Sequence, residues 1–328
     1  NSLGNDGIQL NNINGMSSVV GNSLTAVSTL SGTGDGIVVE NTGGLFASNA
    51  DVGEDGTVYI ASNHVFAVIG AAALDTDTIA GGVALSAGDG IRVAAVDGDV
   101  VIGADAGTRN TVSGIAGDGI QVFSVTGNGA GAQAVLISHN LVTNVGTGAG
   151  GDGDGIVVSF TGGYASNPLP SFVINGNGGV VVRNNVVNQV AGNGPDRDDG
   201  RSAGDGIRIR SADGAVEILE NQVATSVGGN IANDGIQVWD VVGTVTVNDN
   251  TIGSAASIGV GLSGDGDGIV VENTNFYALK AGPDFQGAVS IVGNSVANVV
   301  GSASTDSNGV NILYPAVGPE NAPVQFIS

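Results

Sequence analysis

Asp35 to Glu40 reads DGIVVE, and the opening returns as DGIQLN at Asp6, DGIRVA at Asp89, DGIQVF at Asp118, DGIVVS at Asp154, DGIRIR at Asp205, DGIQVW at Asp234 and DGIVVE at Asp267. A degenerate copy, NGVNI, follows at Asn308, and successive spacings are 29, 54, 29, 36, 51, 29, 33 and 41 residues. Self-similarity at this period marks a stacked repeat, in which no single unit can bury its own apolar face. Alternation inside each copy gives the orientation: Ile207 and Ile209 share one side, Arg208 and Arg210 the other. The inward column is therefore Ile8, Ile37, Ile91, Ile120, Ile156, Ile207, Ile236 and Ile269.

A second landmark closes each unit, where an apolar alternation meets a small polar residue: Asn22, Asn63, Asp105, Asn140, Asn185, Asn221, Asn250 and Asn294. One unit then reads as strand, turn, strand, Asn-marked bend and short third strand. Composition agrees with an all-β chain. Of 328 residues 58 are Gly and none is Cys; only 12% are charged and 4% aromatic, against 41% hydrophobic, which favours short strands between tight turns. Over essentially its whole length the chain resembles the right-handed parallel β-helix family, the pectate-lyase-like solenoids. The repeat count gives eight to nine rungs, and the resemblance implies an Asn ladder at Asn22, Asn63, Asn140, Asn185, Asn221, Asn250 and Asn294. Asp105 departs from it, being a charge in a row of amides.

The residue after each Ile cycles through Gln9, Val38, Arg92, Gln121, Val157, Arg208, Gln237 and Val270, a three-rung super-repeat. Each Val rung also carries an extra loop. The blocks are roughly 1–88, 89–204 and 205–328 of a single β-helix domain without evident caps, and the faithful outward letters suggest a periodic surface. Residues 324–328 followed by 1–9 read like one more rung, so the expectation is continuation head to tail, either within a longer chain or between copies.

The Asp of each GDGI is the first candidate for chemistry. As a turn residue, it accepts backbone N–H groups beside glycines that supply positive φ. Stacked carboxylates about 4.8 Å apart repel, so donors or a hard cation must offset them. The doubled GDGDG at Asp152/Asp154 and Asp265/Asp267 is where Ca²⁺ is expected, if any cofactor is. Phe123 and Trp239 face outward three rungs apart and are candidate glycan contacts; the structural alternative covers them with the loops bearing Phe46, Tyr164, Phe276 and Tyr277. Enzymes of the resembled family set carboxylates beside Arg or Lys, which directs attention to Asp196, Arg197, Asp198, Asp199 and Arg201, but one loop holds all of them and reads first as a solvated turn. His64 and His139 sit beside ladder positions and read as structural. No phosphate loop or nucleophile motif is present.

Thirty-one acids against eight bases give a net charge of -23, a surface that repels nucleic acid and anionic membranes and attracts cations. No run of 18 apolar residues suggests a membrane span. These observations together favour an extracellular, cell-surface structural protein: a stiff segment of a fibre, sheath or adhesin stalk, without catalysis. The alternative is a polysaccharide-binding or polysaccharide-cleaving β-helix, which would concentrate its irregularity at one cleft instead of repeating its loops every third rung.

Overall fold

The computed structural model describes residues 6–27, 34–43, 56–69, 88–128, 133–147, 153–162, 178–192, 203–260, 266–272, 288–300, 309–313 and 324–327. Its rungs follow the sequence units. Rung 6 shows the pattern: Ile207–Asp213 lies in the first sheet, Val216–Leu219 in the second and Gln222–Val223 in the third. Successive rungs add one strand to each sheet, giving nine, nine and eight described strands, all pairing parallel to the copy before and after. Strand order rises by three throughout, which is the topology of a right-handed parallel β-helix.

Register in the first sheet follows the inward Ile column residue for residue. Ile8 pairs with Ile37, then Ile91, Ile120, Ile156, Ile207, Ile236 and Ile269, and Val310 completes the row. Val58, Val100, Val135, Val180, Val216 and Val245 form a matching column in the second sheet, and both belong to one continuous aliphatic core. Burial of such columns supplies roughly 25 cal/mol per Å² of apolar surface, and only stacking makes it available.

The chain turns between sheets through left-handed residues at repeated positions. In seven of the nine first-sheet strands the fifth residue has φ between 50 and 62°: Asn12, Asn41, Ala95, Ser124, Phe160, Ser211 and Asp240. The pairing register steps over these residues, so the strand bends there without losing its neighbours. Left-handed backbone costs about 1–2 kcal/mol for a residue with a Cβ, and the ladder on either side offsets it.

Two expectations need correction. Positive φ is not what requires the Gly after each repeated Asp. A Cβ on Gly206 would lie 2.5 Å from both the Gly235 carbonyl oxygen and Val223 Cγ1, so close rung approach requires it. The glycine before the Asp carries the positive φ at Gly88, Gly204 and Gly266. The second correction concerns the outward letters. They do point away from the Ile column, but they form no open surface: from rung 2 to rung 8 Val38, Arg92, Gln121, Val157, Arg208, Gln237 and Val270 are all buried. The first sheet thus has both faces covered, as parallel sheets usually do.

Candidate functional site: two inter-rung side-chain ladders

At the corner between the second and third sheets the amide side chains of Asn22, Asn63, Asn110, Asn140, Asn185, Asn221, Asn250 and Asn294 stack in one row. From Asn63 onward each Oδ1 accepts from the rung before it, as Asn185 Oδ1 does from the Asn140 backbone N–H at 2.9 Å and from Asn140 Nδ2 at 3.0 Å. From Asn63 onward each Nδ2 also donates to a carbonyl of the preceding rung, Asn185 to Ile137 at 2.9 Å, whereas Asn22 donates to Val20 of its own rung. The same bonds join Asn22 to Asn63, Asn185 to Asn221 and Asn250 to Asn294.

Rung 3 departs from the sequence reading. Its ladder residue is Asn110, which accepts from the Asn63 N–H at 2.9 Å and donates to Asn140 Oδ1 at 2.9 Å. Asp105 instead holds a turn inserted after Gly103, accepting from Gly107 N–H at 2.7 Å and Thr108 N–H at 3.1 Å. The signal that identifies Asn110 is the alternation after it, Asn110-Thr-Val-Ser-Gly-Ile, which matches Asn140-Leu-Val-Thr-Asn-Val. Counting 16 residues from the Asp misses a five-residue insertion.

The repeated Asp residues build a second row at the entrance to the first sheet. Each Oδ1 accepts the backbone N–H of the next Asp: Asp35 to Asp6 at 2.8 Å, Asp89 to Asp35, Asp118 to Asp89 and Asp267 to Asp234 at 2.7 Å. Asp154 also accepts from Gly204 N–H at 2.8 Å and Asp205 N–H at 2.7 Å. The outer oxygens meet the cycling letter. Gln121 donates to its own Asp118 at 2.9 Å and Gln237 to Asp234 at 3.3 Å. Val38 and Val157 have nothing to donate, so their rungs are served from the rung that follows. Arg92 reaches back to Asp35 at 3.0 Å and to Glu40 at 2.7 Å; Arg208 reaches back to Asp154 at 2.8 Å while touching its own Asp205 at 3.2 Å. Both guanidinium groups are 1% exposed.

Burial dominates the acidity of these carboxyls. It pushes Asp35, Asp154 and Asp205 up to about 7, against the lowering effect of Arg92 or Arg208 and of the backbone donors. With folded values above the ordinary 3.8, the folded state retains protons that the unfolded chain has released. The stabilising contribution is therefore complete below about pH 4 and is lost as pH rises through about 7. A thermal midpoint that falls from pH 5 to pH 8 at constant ionic strength is the expected result, and a rise would mean that these carboxyls are ionised throughout that range in the folded protein.

Asp152 and Asp265 lie outside the described residues, so the GDGDG pairs can be followed only through Asp154 and Asp267. Asp154 is occupied by two N–H groups and an arginine, and Asp267 accepts from Asn311 Nδ2 at 2.9 Å. Among the described residues no group of three or more Asp, Glu, His or Cys is arranged to hold a metal ion. Protein donors therefore meet the carboxyls of Asp154 and Asp267.

Phe123 is 4% exposed, with its ring 5.0 Å from that of Phe160, which in turn lies under the Arg210 guanidinium at 4.8 Å. It offers no open face to a sugar. Trp239 stands beside Arg210 and Glu272 in register and is partly exposed. His64 is exposed and stacked 6.2 Å from Phe66, and His139 takes the left-handed position before Asn140. The cluster from Asp196 to Arg201 and the residues Phe46, Tyr164, Phe276 and Tyr277 are outside the described residues. No family model, curated protein or solved structure matches this chain.

Proposed function

We propose that this protein is an extracellular structural module, a stiff β-helical segment of a surface fibre, sheath or adhesin stalk. The observation that carries the reading is the use of the buried polar groups. Asn and Asp side chains in almost every rung are committed to bonds with the neighbouring rung, and among the described residues no group of three or more Asp, Glu or His is arranged to hold a metal ion. Bending or shearing such a stack breaks side-chain and backbone ladders together, which makes a rod and not a reaction vessel. The net charge of -23 keeps neighbouring rods apart in solution. No described helix is long and apolar enough to cross a membrane.

In this reading rungs continue head to tail, through further chain or through another copy, because an open parallel edge is a template for one more strand. Electron microscopy of the native material tests it, with and without a calcium chelator. Filaments of one rung-stack width with an axial repeat near 43 Å, nine rungs of about 4.8 Å, are the expected result. Loss of filaments on chelation would add a metal outside the described residues. Discrete particles under all conditions would overturn continuation, and cleavage of acidic polysaccharides by those particles would establish the enzymatic alternative.

A further inference from the structure

We propose that Arg92, Arg208 and Asn311 are register clamps, which decide during folding which rung stacks on which at the three longest junctions of the chain. The problem they solve follows from the fold's regularity. The Ile column, the Asn ladder and the Asp-to-backbone row repeat in nearly every rung. A rung that skipped its neighbour and stacked one further along would find the same partners in all three. Chain connectivity opposes such a skip strongly where the connection is short and weakly where it is long.

The clamps stand where connectivity is weakest. Asp35 and Asp89 are 54 residues apart, Asp154 and Asp205 are 51, and Asp267 and Asn308 are 41; every other spacing is 36 or less. Across the first of these junctions Arg92 grips Asp35 and Glu40, and across the second Arg208 grips Asp154. Across the third the residue is no longer Arg, yet Asn311 donates to Asp267 Oδ2 at 2.9 Å, from the same column and in the same direction. At the 29-residue and 33-residue steps the letter is Gln or Val, and Gln121 and Gln237 hold their own rung's Asp instead.

Mispairing defeats the clamp. If rung 6 stacked on rung 4, Arg208 would meet Asp118, whose outer oxygen is already held by Gln121, and Asp154 would lose its cation. Arg208 also donates forward to Gln237 Oε1 at 3.0 Å, so one side chain ties rungs 5, 6 and 7 in order. A buried charge that gains nothing over an apolar pair in stability still discriminates between packings, because the wrong packing strands it.

The chain has no Cys, so engineered disulfides report register directly. Val186 and Gln222 are paired neighbours across the second long junction, and Leu141 is paired with Val186 one rung earlier. Val186→Cys/Gln222→Cys closes in the native stack, whereas Leu141→Cys/Gln222→Cys closes only when rung 5 is skipped. Both pairs are placed in the parent and in Asp154→Asn/Arg208→Gln, which removes the two charges together and keeps hydrogen-bonding groups. After refolding from denaturant and oxidation, the skipped-rung disulfide is expected to be about tenfold or more abundant in the neutral variant. An unchanged ratio would overturn the proposal. If the neutral variant does not refold, Arg208→Lys carries the test: it keeps the charge but loses the guanidinium span, and again a rise in the skipped-rung product supports the clamp while an unchanged yield refutes it.

Discussion

Arg208→Leu is expected to destabilise the fold by about 3–5 kcal/mol at pH 8 and by far less at pH 5. The arginine lies between two carboxylates that burial already disfavours as charges, Asp154 at 2.8 Å and Asp205 at 3.2 Å, and removing it leaves both in the interior without a cation. At pH 8, above the value of about 7 for each, the folded state must either hold two uncompensated charges or take up protons. At pH 5 both are already protonated in the folded protein, and the guanidinium is then the only unneutralised charge of the three. Denaturant midpoints of parent and variant at the two pH values measure this directly. Equal losses at both would mean that Arg208 acts through packing alone.

Asn185→Ala is the second large effect, on the order of 4 kcal/mol. The side chain is fully buried and takes part in four bonds: it accepts the Asn140 N–H and Nδ2, and donates to the Ile137 carbonyl and to Asn221 Oδ1. Alanine strands groups on both adjacent rungs with no water to replace them, and each costs about 1–3 kcal/mol. Asn110→Ala should fall in the same class, because Asn110 is buried in the same row, whereas Asp105→Ala loosens only the exposed turn that Asp105 holds. Urea denaturation of the three variants ranks them. A loss at Asp105 equal to that at Asn110 would return Asp105 to the ladder.

Much of this molecule is legible in one dimension because its architecture is one-dimensional. Where a strand, a turn and a bend recur in a fixed order, alternation assigns the inward side and stacking follows. The Ile column from Ile8 to Ile269 and seven of the eight ladder amides therefore stand in register where the repeated landmarks place them. The eighth, Asn110, hid behind an insertion of five residues, since fixed counting from Asp89 arrives at Asp105 before the turn is complete.

The sequence by itself determined the rung, its pitch, its aliphatic column and its three-rung cycle of Gln, Val and Arg, since all of these are local or periodic. Only the tertiary structure decided what the cycle does. Alternation says that Arg92 and Arg208 point away from the Ile column, but not that this side is covered, and burial is what turns an exposed charge into a clamp. Nor does the order of residues say that Arg208 reaches back 54 positions to Asp154 as well as to Asp205 three positions before it. Stacking brings those two carboxylates within range of one guanidinium, and a contact between rungs is set by the geometry of the stack and not by distance along the chain.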